Sequence, residues 1–380
     1  MSLVTKKKIG DLFKISKGKK SEEDPSSNLR YIQIDDLRND NNIKLARADL
    51  KNVTCTKLDV LIAWDGANAG TIGYDLEGVI GSTLAKLVPK NDSVNSHYAG
   101  RFLQSKFRYL RDNCTGATIP HISKPSLVNL DIPLPLLDEQ KKIAEILDAT
   151  DSLRQKDKQL VEHYDRLSQS LFLDMFGDPV CNMKKWETKK LEDIASSQLG
   201  KMLSQAAKKG INAQKYLRNA NVRWGYFNLD NMLEMDFTDK EIKKFNLLAG
   251  DILVCEGGEV GRSAIWRNDL EDCYFQKALH RVRVNNEMVT PEYLQAYFYW
   301  MSKLGGLSSS TSEVTFSHLT AEKLKKLIVP LPPVSLQNEY SSKLSYVEKQ
   351  KELAQQALLK SDDLFNSLLQ QAFKGKLTNC

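Results

Sequence analysis

The chain has 380 residues, too many for one typical core, so two or more domains are expected. A composition 41% hydrophobic and 27% charged is that of an ordinary globular protein, and a net charge of +6 permits a nucleic-acid partner without demanding one. There is no apolar run of about 18 residues to span a membrane, and Lys6–Lys8 are followed by no apolar core of a secretory signal.

The first globular unit is expected over residues 1–132. Short apolar runs bounded by Gly, Asn and Asp (Tyr31–Ile34, Val60–Ala63, Leu84–Val88) predict strands. Tyr98, Phe102, Leu103 and Phe107 fall at helical spacing and predict a helix near Ser96–Arg111. Residues 133–179 then form a proline hinge and a long helix. Pro133 and Pro135 predict a stiff extended connector, Asp138 and Gln140 mark the helix start, and Gly177-Asp178-Pro179 stops it near Phe176. A second unit over 180–329 offers the same menu. Asp251–Val254 and Arg281–Val284 predict strands, and Glu292–Trp300 predicts a helix. Residues 330–380 repeat the hinge (Pro330, Pro332, Pro333) and carry a second long helix, from about Leu336 to Phe373.

The second half therefore repeats the first. Adding 197 carries His121 to His318, Leu127 to Leu324, Pro133 to Pro330, Gln140 to Gln337 and Phe176 to Phe373. Upstream, Ile9–Lys19 parallels Leu191–Lys201, and Leu58–Gly70 parallels Gly250–Gly261. This is a tandem duplication, not a solenoid. Each long helix carries heptads. Ile146, Leu153, Leu160 and Leu167 form one track of the first, with Thr150, Asp157, Tyr164 and Leu171 beside it. Leu344, Lys351, Leu358 and Phe365 form one track of the second, with Val347, Ala354, Ser361 and Leu368 beside it. Each helix, about 38 residues or roughly 57 Å long, is the natural partner of the other. The fold class predicted is two similar mixed α/β units, each followed by a long helix, with the helices paired as an antiparallel coiled coil. The expected seam comprises Ile146, Leu153, Leu160, Leu167, Leu171, Leu344, Val347, Leu358, Phe365 and Leu368.

Catalytic motifs are missing from the sequence. Gly18-Lys19 and Gly200-Lys201 lack the rest of a P-loop, and neither Gly257–Gly261 nor Asp65–Gly70 matches a dinucleotide fingerprint. Both glycine runs read as tight turns that need positive φ, with polar tips able to face a ligand. No Asn/Asp-Pro-Pro-aromatic motif of an adenine methyltransferase occurs, and Asp178 with Glu187-Thr188-Lys189 is placed wrongly for a nuclease. His121 and His318 have no acidic or Cys partner nearby in sequence and read as structural hydrogen-bonding groups. The six cysteines (55, 114, 181, 255, 273 and 380) form no C-x-x-C pair and have no zinc-ligand spacing to His, so free thiols in a reducing cytoplasm are expected and no metal. Ser308–Ser312 and Thr115–Thr118 read as matching polar loops.

Basic residues recur at matching sites. Lys17, Lys19 and Lys20 flank Gly18; Lys201, Lys208 and Lys209 follow Gly200; and Arg218, Arg223, Arg262, Lys277, His280 and Arg281 enrich the second unit. From charge, loop position and repeat matching, the expected DNA contacts are Lys19, Lys20, Asn68 and Thr71 in the first unit. In the second they are Lys201, Arg262, Ser263 and Lys277.

Two units, each with a Gly-turn strand and then Pro-Leu-Pro before a long helix, resemble the specificity (S) subunit of type I restriction–modification enzymes. The stretches Ile132–Ala144 and Ile328–Gln337 carry the resemblance at the two junctions, and it covers nearly the whole chain. It implies two target recognition domains, each reading one half of a split, asymmetric double-stranded DNA target. It also implies a helical pair that spaces the half-sites and docks two modification (M) subunits, with restriction (R) subunits joining them. The chain itself would be non-catalytic, cytoplasmic and without cofactor, S-adenosylmethionine and ATP belonging to its partners. The competing readings are a coiled-coil scaffold that binds only proteins and an autonomous DNA-modifying enzyme.

Overall fold

The structure is a computed structural model, and it describes residues 5–116, 118–307, 318–374 and 377. Ser308–Ser312 and Ala117 of the two polar loops, and Cys380, lie outside these residues. The chain divides into a first unit of residues 1–159 with 354–380 and a second of 160–353.

The globular part of the first unit has two small sheets. One runs in the order Phe13–Lys17, Leu84–Pro89, Val60–Ala63, Ile72–Gly73, all antiparallel. The other runs Lys44–Ala46, Leu29–Ile32, Gly78–Ile80, Thr54–Cys55, with a parallel pairing at its centre. The second unit repeats the first sheet as Ala195–Leu199, Leu279–Val284, Ile252–Cys255, Ser263–Ile265. It reduces the other to Leu233–Asp236, Ala213–Leu217, Tyr274–Phe275. Val60–Ala63 and Ile252–Cys255 are buried along their whole length, which explains their unbroken apolar sequences. The helix expected near residues 96–111 is two helices, Ser96–Ser105 and Phe107–Asp112. Pro291–Lys303 is its larger counterpart in the second unit.

The proline hinges are strands, not free connectors. Asp131–Leu134 pairs antiparallel with Thr5–Lys8, and Ile328–Leu331 pairs with Glu187–Lys190. Proline is tolerated because each pair has only two strands, so a missing N–H can face the open side. Tyr98 Oη donates to the carbonyl of Pro133 at 2.7 Å, and Tyr293 Oη to that of Pro330 at 2.6 Å. Both hydroxyls are buried and use the carbonyl that precedes the helix.

Each long helix has 40 residues, Leu137–Phe176 and Val334–Phe373. A glutamine in the first turn ties each to its globular unit. Gln140 is fully buried; its Oε1 accepts from Asn95 N at 2.9 Å, and its Nε2 donates to the carbonyls of Ser93 and Pro135. Gln337, also fully buried, repeats the arrangement with Thr290 N, Met288 O and Pro332 O. Every buried polar atom of the amide is satisfied, so burial carries no unpaired-group penalty.

The helices pair antiparallel, as expected. In the second unit Lys351 meets Asp165, while Tyr340 lies against Phe172 and Phe176. In the first unit Arg154 reaches Asp362 at 3.7 Å and lies 4.6 Å over the ring of Phe365. The ends of the pair complete the globular cores. Phe373 packs on Tyr98 and Phe102 in the first unit, and Phe176 packs on Tyr293 in the second, at centroid distances of 4.8–5.4 Å.

The seam of the second helix matches expectation, since Leu344, Val347, Leu358, Phe365 and Leu368 are buried or partly buried. That of the first does not. Ile146, Leu153, Leu160 and Leu167 are exposed (40%, 46%, 41% and 37%). The shielded positions include Ile143, Leu147, Thr150, Arg154, Asp157, Val161, Tyr164, Ser168 and Leu171, which recur at alternating steps of four and three. Leu171 therefore lies on the seam, while the four-residue aliphatic track sits one position before it and faces outward. Charges on this seam find partners on the other helix, Arg154 with Asp362 and Asp165 with Lys351.

Candidate nucleic-acid interface

In both units one fully buried strand runs out into a glycine turn. After Val60–Ala63 the turn spans Asp65–Gly70, with Gly66 and Gly70 at φ +95°. It is closed by Gly70 N to Ala63 O and Ala63 N to Thr71 O, both 2.8 Å. After Ile252–Cys255 the turn spans Gly257–Gly261, with Gly258 and Gly261 at φ +78° and +81°. Cys255 N to Arg262 O closes it at 2.8 Å. The glycines take positive φ, as tight turns require. Inside each turn one bond fixes the equivalence. Thr71 N donates to Asn68 O, and Arg262 N donates to Glu259 O, both at 3.1 Å. Asn68 and Glu259 are thus counterparts, as are Thr71 and Arg262.

A second loop closes on each turn. It follows Leu29–Ile32 in the first unit and Ala213–Leu217 in the second. Asp36 accepts from Gln33 N at 2.8 Å, and Asn221 from Arg218 N at 3.1 Å, which brings Arg38 and Arg223 to corresponding places. Arg38 Nη2 donates to Asn68 Oδ1 at 2.8 Å and lies 3.4 Å from Thr71 Oγ1. The next residue in the second unit does the equivalent work, as Trp224 Nε1 donates to Glu259 Oε1 at 2.7 Å. Lys303 Nζ stands 3.3 Å from the same oxygen, and Arg262 Nη1 is 3.8 Å from the other. Hydrogen bonding from Trp224 outweighs the desolvation cost, and with the two cations it holds the Glu259 carboxyl below its ordinary pKa. Arg38, Trp224, Glu259 and Lys303 were not among the expected contacts. Only the folded loops bring them together, although the repeat already aligned the two glycine turns.

The expected contacts divide sharply. Lys19, Lys20 and Lys277 are exposed, and Asn68 and Thr71 are half-buried at the turn with Arg38. Gly18 and Gly200 need to be glycine, since an added Cβ would sit 2.3 Å from the carbonyl oxygens of Gly81 and Gln276. That close approach points the following backbone the same way in both units, yet the two lysines differ. Lys201 is a correction. It pairs with Glu241 at 2.6 Å, donates to Asp236 O and lies 4.9 Å over Phe237, with its side chain 11% exposed. Burial opposes the charge on Glu241, but Lys201 and Thr238 overcome it and lower its pKa. Lys201 is thus a structural ammonium. Ser263 is a second correction, because it is completely buried within its strand. Arg262 is mostly buried and spends Nη2 on Asn219 O at 3.0 Å. Arg262 Nη1 still faces Glu259 at 3.8 Å, whereas His280 and Arg281 are committed inward, to Leu319 O and Asn246 O.

His121 does have an acidic partner, contrary to expectation. Its Nδ1 lies 2.6 Å from Asp65 Oδ1, and Lys17 Nζ is 2.5 Å from Oδ2. Burial tends to raise the Asp65 pKa, and these two partners bring it below the ordinary value. Backbone bonds between His121 and Thr115 in both directions, 2.7 and 2.8 Å, make this a structural clasp of the turn. His318 bridges Gly257 by backbone in the same way, but glycine offers no carboxylate there. Among the described residues no cluster of His, Cys, Asp and Glu could hold a metal, and no helix is long and apolar enough to cross a membrane.

The comparisons with known proteins agree with the duplicated architecture. The family described as the type I restriction modification DNA specificity domain matches twice, over residues 1–163 and 183–360. The type I restriction enzyme MjaVIII specificity subunit of Methanocaldococcus jannaschii is 26% identical over 369 residues, covering 90% of this chain and 85% of that one. The EcoBI specificity subunit of Escherichia coli is 24% identical, covering 84% of this chain and 74% of that one. The crystal structure of a type I S subunit from M. genitalium shares the fold at a TM-score of 0.61 and 18% identity, covering 98% and 97% of the two chains. The chain belongs to the family of type I restriction–modification DNA specificity subunits.

Proposed function

We propose that this specificity subunit works by binding alone, with no catalysis of its own. Each globular unit reads one half of a bipartite, asymmetric double-stranded DNA target, and unspecified bases separate the halves. The paired glycine turns support this reading above all. The two units place different side chains, Asn68 with Arg38 and Glu259 with Trp224, at one equivalent site. A repeated frame with exchanged tip chemistry is what two different half-sites require. Exposed Lys19, Lys20 and Lys277 would neutralise phosphates and fix register, while the polar turns approach base edges.

Assembly with other subunits belongs to the same reading. Two modification subunits would bring S-adenosylmethionine and methylate the target, and restriction subunits would bring ATP-driven cleavage, in the cytoplasm. The outward aliphatic residues, Ile146 and Leu153 in the first unit and Leu160 and Leu167 in the second, suit such helix-borne docking. The four-part division at residues 132, 179 and 329 describes the functional segments, recognition domain and helix in alternation. A domain exchange tests the reading. Replacing residues 1–132 with the first unit of another family member should change one block of the methylated sequence and leave the other. A change in both blocks, or in neither, would count against it.

A further inference from the structure

Glu259 is held by three donors of the second unit, the Trp224 indole N–H at 2.7 Å, the Lys303 ammonium at 3.3 Å and the Arg262 guanidinium at 3.8 Å. These groups do more than meet a carboxylate. Lys303 also lies over two aromatic faces, 5.9 Å from the Trp224 centroid and 5.7 Å from that of Tyr299, and the two rings meet edge to face at 5.2 Å. The aromatic pair fixes where the ammonium stands. Behind the glycine turn, Arg262 Nη2 donates to Asn219 O at 3.0 Å and Asn219 Nδ2 to Gly257 O at 2.9 Å, so the guanidinium is anchored to the frame of the turn. The anchored guanidinium and the ammonium held over its two rings present their charges to one point at the tip of the turn.

An indole N–H, an ammonium and a guanidinium converging on one point make a receptor for an oxyanion, and charge-assisted bonds of this kind suit phosphate as well as carboxylate. Glu259 sits at the tip of a glycine turn, with Gly258 before it and no side chain there to hinder it. The Glu259 side chain is 41% exposed and that of Lys303 is 45% exposed, so the cluster lies open to a ligand from solvent. In the first unit the counterpart is a neutral Asn68 with a single arginine, so this is a property of the second unit only.

We propose that Trp224, Lys303 and Arg262 form a binding site for a phosphodiester of duplex DNA, and that Glu259 occupies it as an internal substitute when no DNA is bound. The proposal rests on the DNA-binding reading above. A phosphate would displace the carboxylate, so the protein exchanges an internal ion pair for an external one. Non-specific DNA would meet a neutralised surface here, and the site would open only where the rest of the contact surface supports the exchange.

The test uses the full chain and a random-sequence duplex, with affinity measured by fluorescence anisotropy across a range of salt. Glu259→Gln frees Lys303, so it should tighten binding by up to about fivefold and steepen the log K against log salt slope by about 0.9, one further phosphate contact. Adding Lys303→Gln, a change at an exposed side chain, to Glu259→Gln removes the freed ammonium and should return affinity and slope towards those of wild type. Glu271→Gln removes an exposed carboxylate of the same unit outside the cluster and should leave the slope unchanged. Wild-type binding with an unaltered slope in Glu259→Gln, or a steepened slope that survives the added Lys303→Gln, would overturn the proposal while leaving the DNA reading intact. An equal effect of Glu271→Gln would also overturn it, since the change would then be general charge. Absence of any duplex binding by the wild-type chain would overturn the DNA reading, and this inference with it.

Discussion

Arg101 donates from Nε to Asp148 Oδ1 at 2.8 Å, joining the globular part of the first unit to its long helix. The contact is a network, not a pair. Tyr74 Oη donates to the same oxygen, His97 Nδ1 meets the other at 3.0 Å, and Arg101 Nη1 reaches Asp151 at 2.8 Å. The Arg101 side chain is only 7% exposed. The repeat places Ser345 opposite Asp148 (148 + 197) and Ala296 opposite Arg101 (101 + 195), so the second unit lacks this buried pair and has a looser, more exposed link in which Arg267 stands 3.9 Å from both Glu292 and the long helix's Glu348. There the buried contact is the packing of Phe172, Phe176, Tyr293 and Tyr340.

Asp148→Asn should therefore destabilise the first unit by about 1–2 kcal/mol, because a charge-assisted bond to a buried guanidinium is weakened while Asp151 still partners it. Hydrogen exchange should show faster opening of Ser96–Ser105 and unchanged protection of Pro291–Lys303. Equal loosening of both helices would contradict the asymmetry.

The same network sets a pH window. The hydrogen bond to Asp148 raises the His97 pKa above its ordinary value, so the contribution of His97 is complete below pH 6.5 and disappears as pH rises through the raised folded value. Burial opposes ionisation of Asp148, but His97, Arg101 and Tyr74 bring its pKa below 3.8. Its contribution is present above that value and declines as pH falls through the folded one. Urea midpoints of the first unit should peak between these limits and decline on both sides, and Asp148→Asn should flatten both flanks. A profile unchanged by that substitution would refute the linkage.

Gln337→Leu tests the helix anchors. It strands Thr290 N, Met288 O and Pro332 O in a buried site, and the expected destabilisation is about 3 kcal/mol. The melting temperature reads it directly, and a change below the noise of the measurement would show that the amide does not tie the helix to its unit.

Lysine substitutions separate DNA binding from structural support. Lys19→Ala with Lys20→Ala should keep the melting temperature and lower duplex affinity, with a slope on log salt shallower by about 0.9 for each phosphate no longer neutralised. Lys201→Ala should instead lower the melting temperature, since it removes the ammonium that neutralises Glu241 and donates to the Asp236 carbonyl. The reverse pattern would mean that burial has been misread as a guide to function.

The duplication, the paired helices and the glycine turns were legible in the sequence because each follows from spacing. What spacing could not rank was the use of each side chain. Lys19 and Lys201 are equivalent in sequence, but only Lys201 has Glu241 in reach, forty residues away in the chain (241 − 201 = 40). The aliphatic track from Ile146 to Leu167 looked like the seam because leucine usually marks one. The true seam joins the companion track of Thr150 and Asp157 to positions one residue after the aliphatic track, such as Arg154, whose partner Asp362 is on a helix about two hundred residues on (362 − 154 = 208). Exposed leucines point instead to a partner. Leu153→Glu should leave the fold within about 0.5 kcal/mol of wild type yet abolish co-purification with a modification subunit, whereas Leu147→Glu should unfold the first unit.

The most direct measurement is mapping of methylated bases across the genome of cells with and without this chain, its partner subunits being present in both. The expected result is a methylated motif of two short specified blocks separated by unspecified bases, present only with the chain. A continuous palindromic motif, or methylation that persists without the chain, would contradict the central claim that this subunit selects the DNA on behalf of its partners.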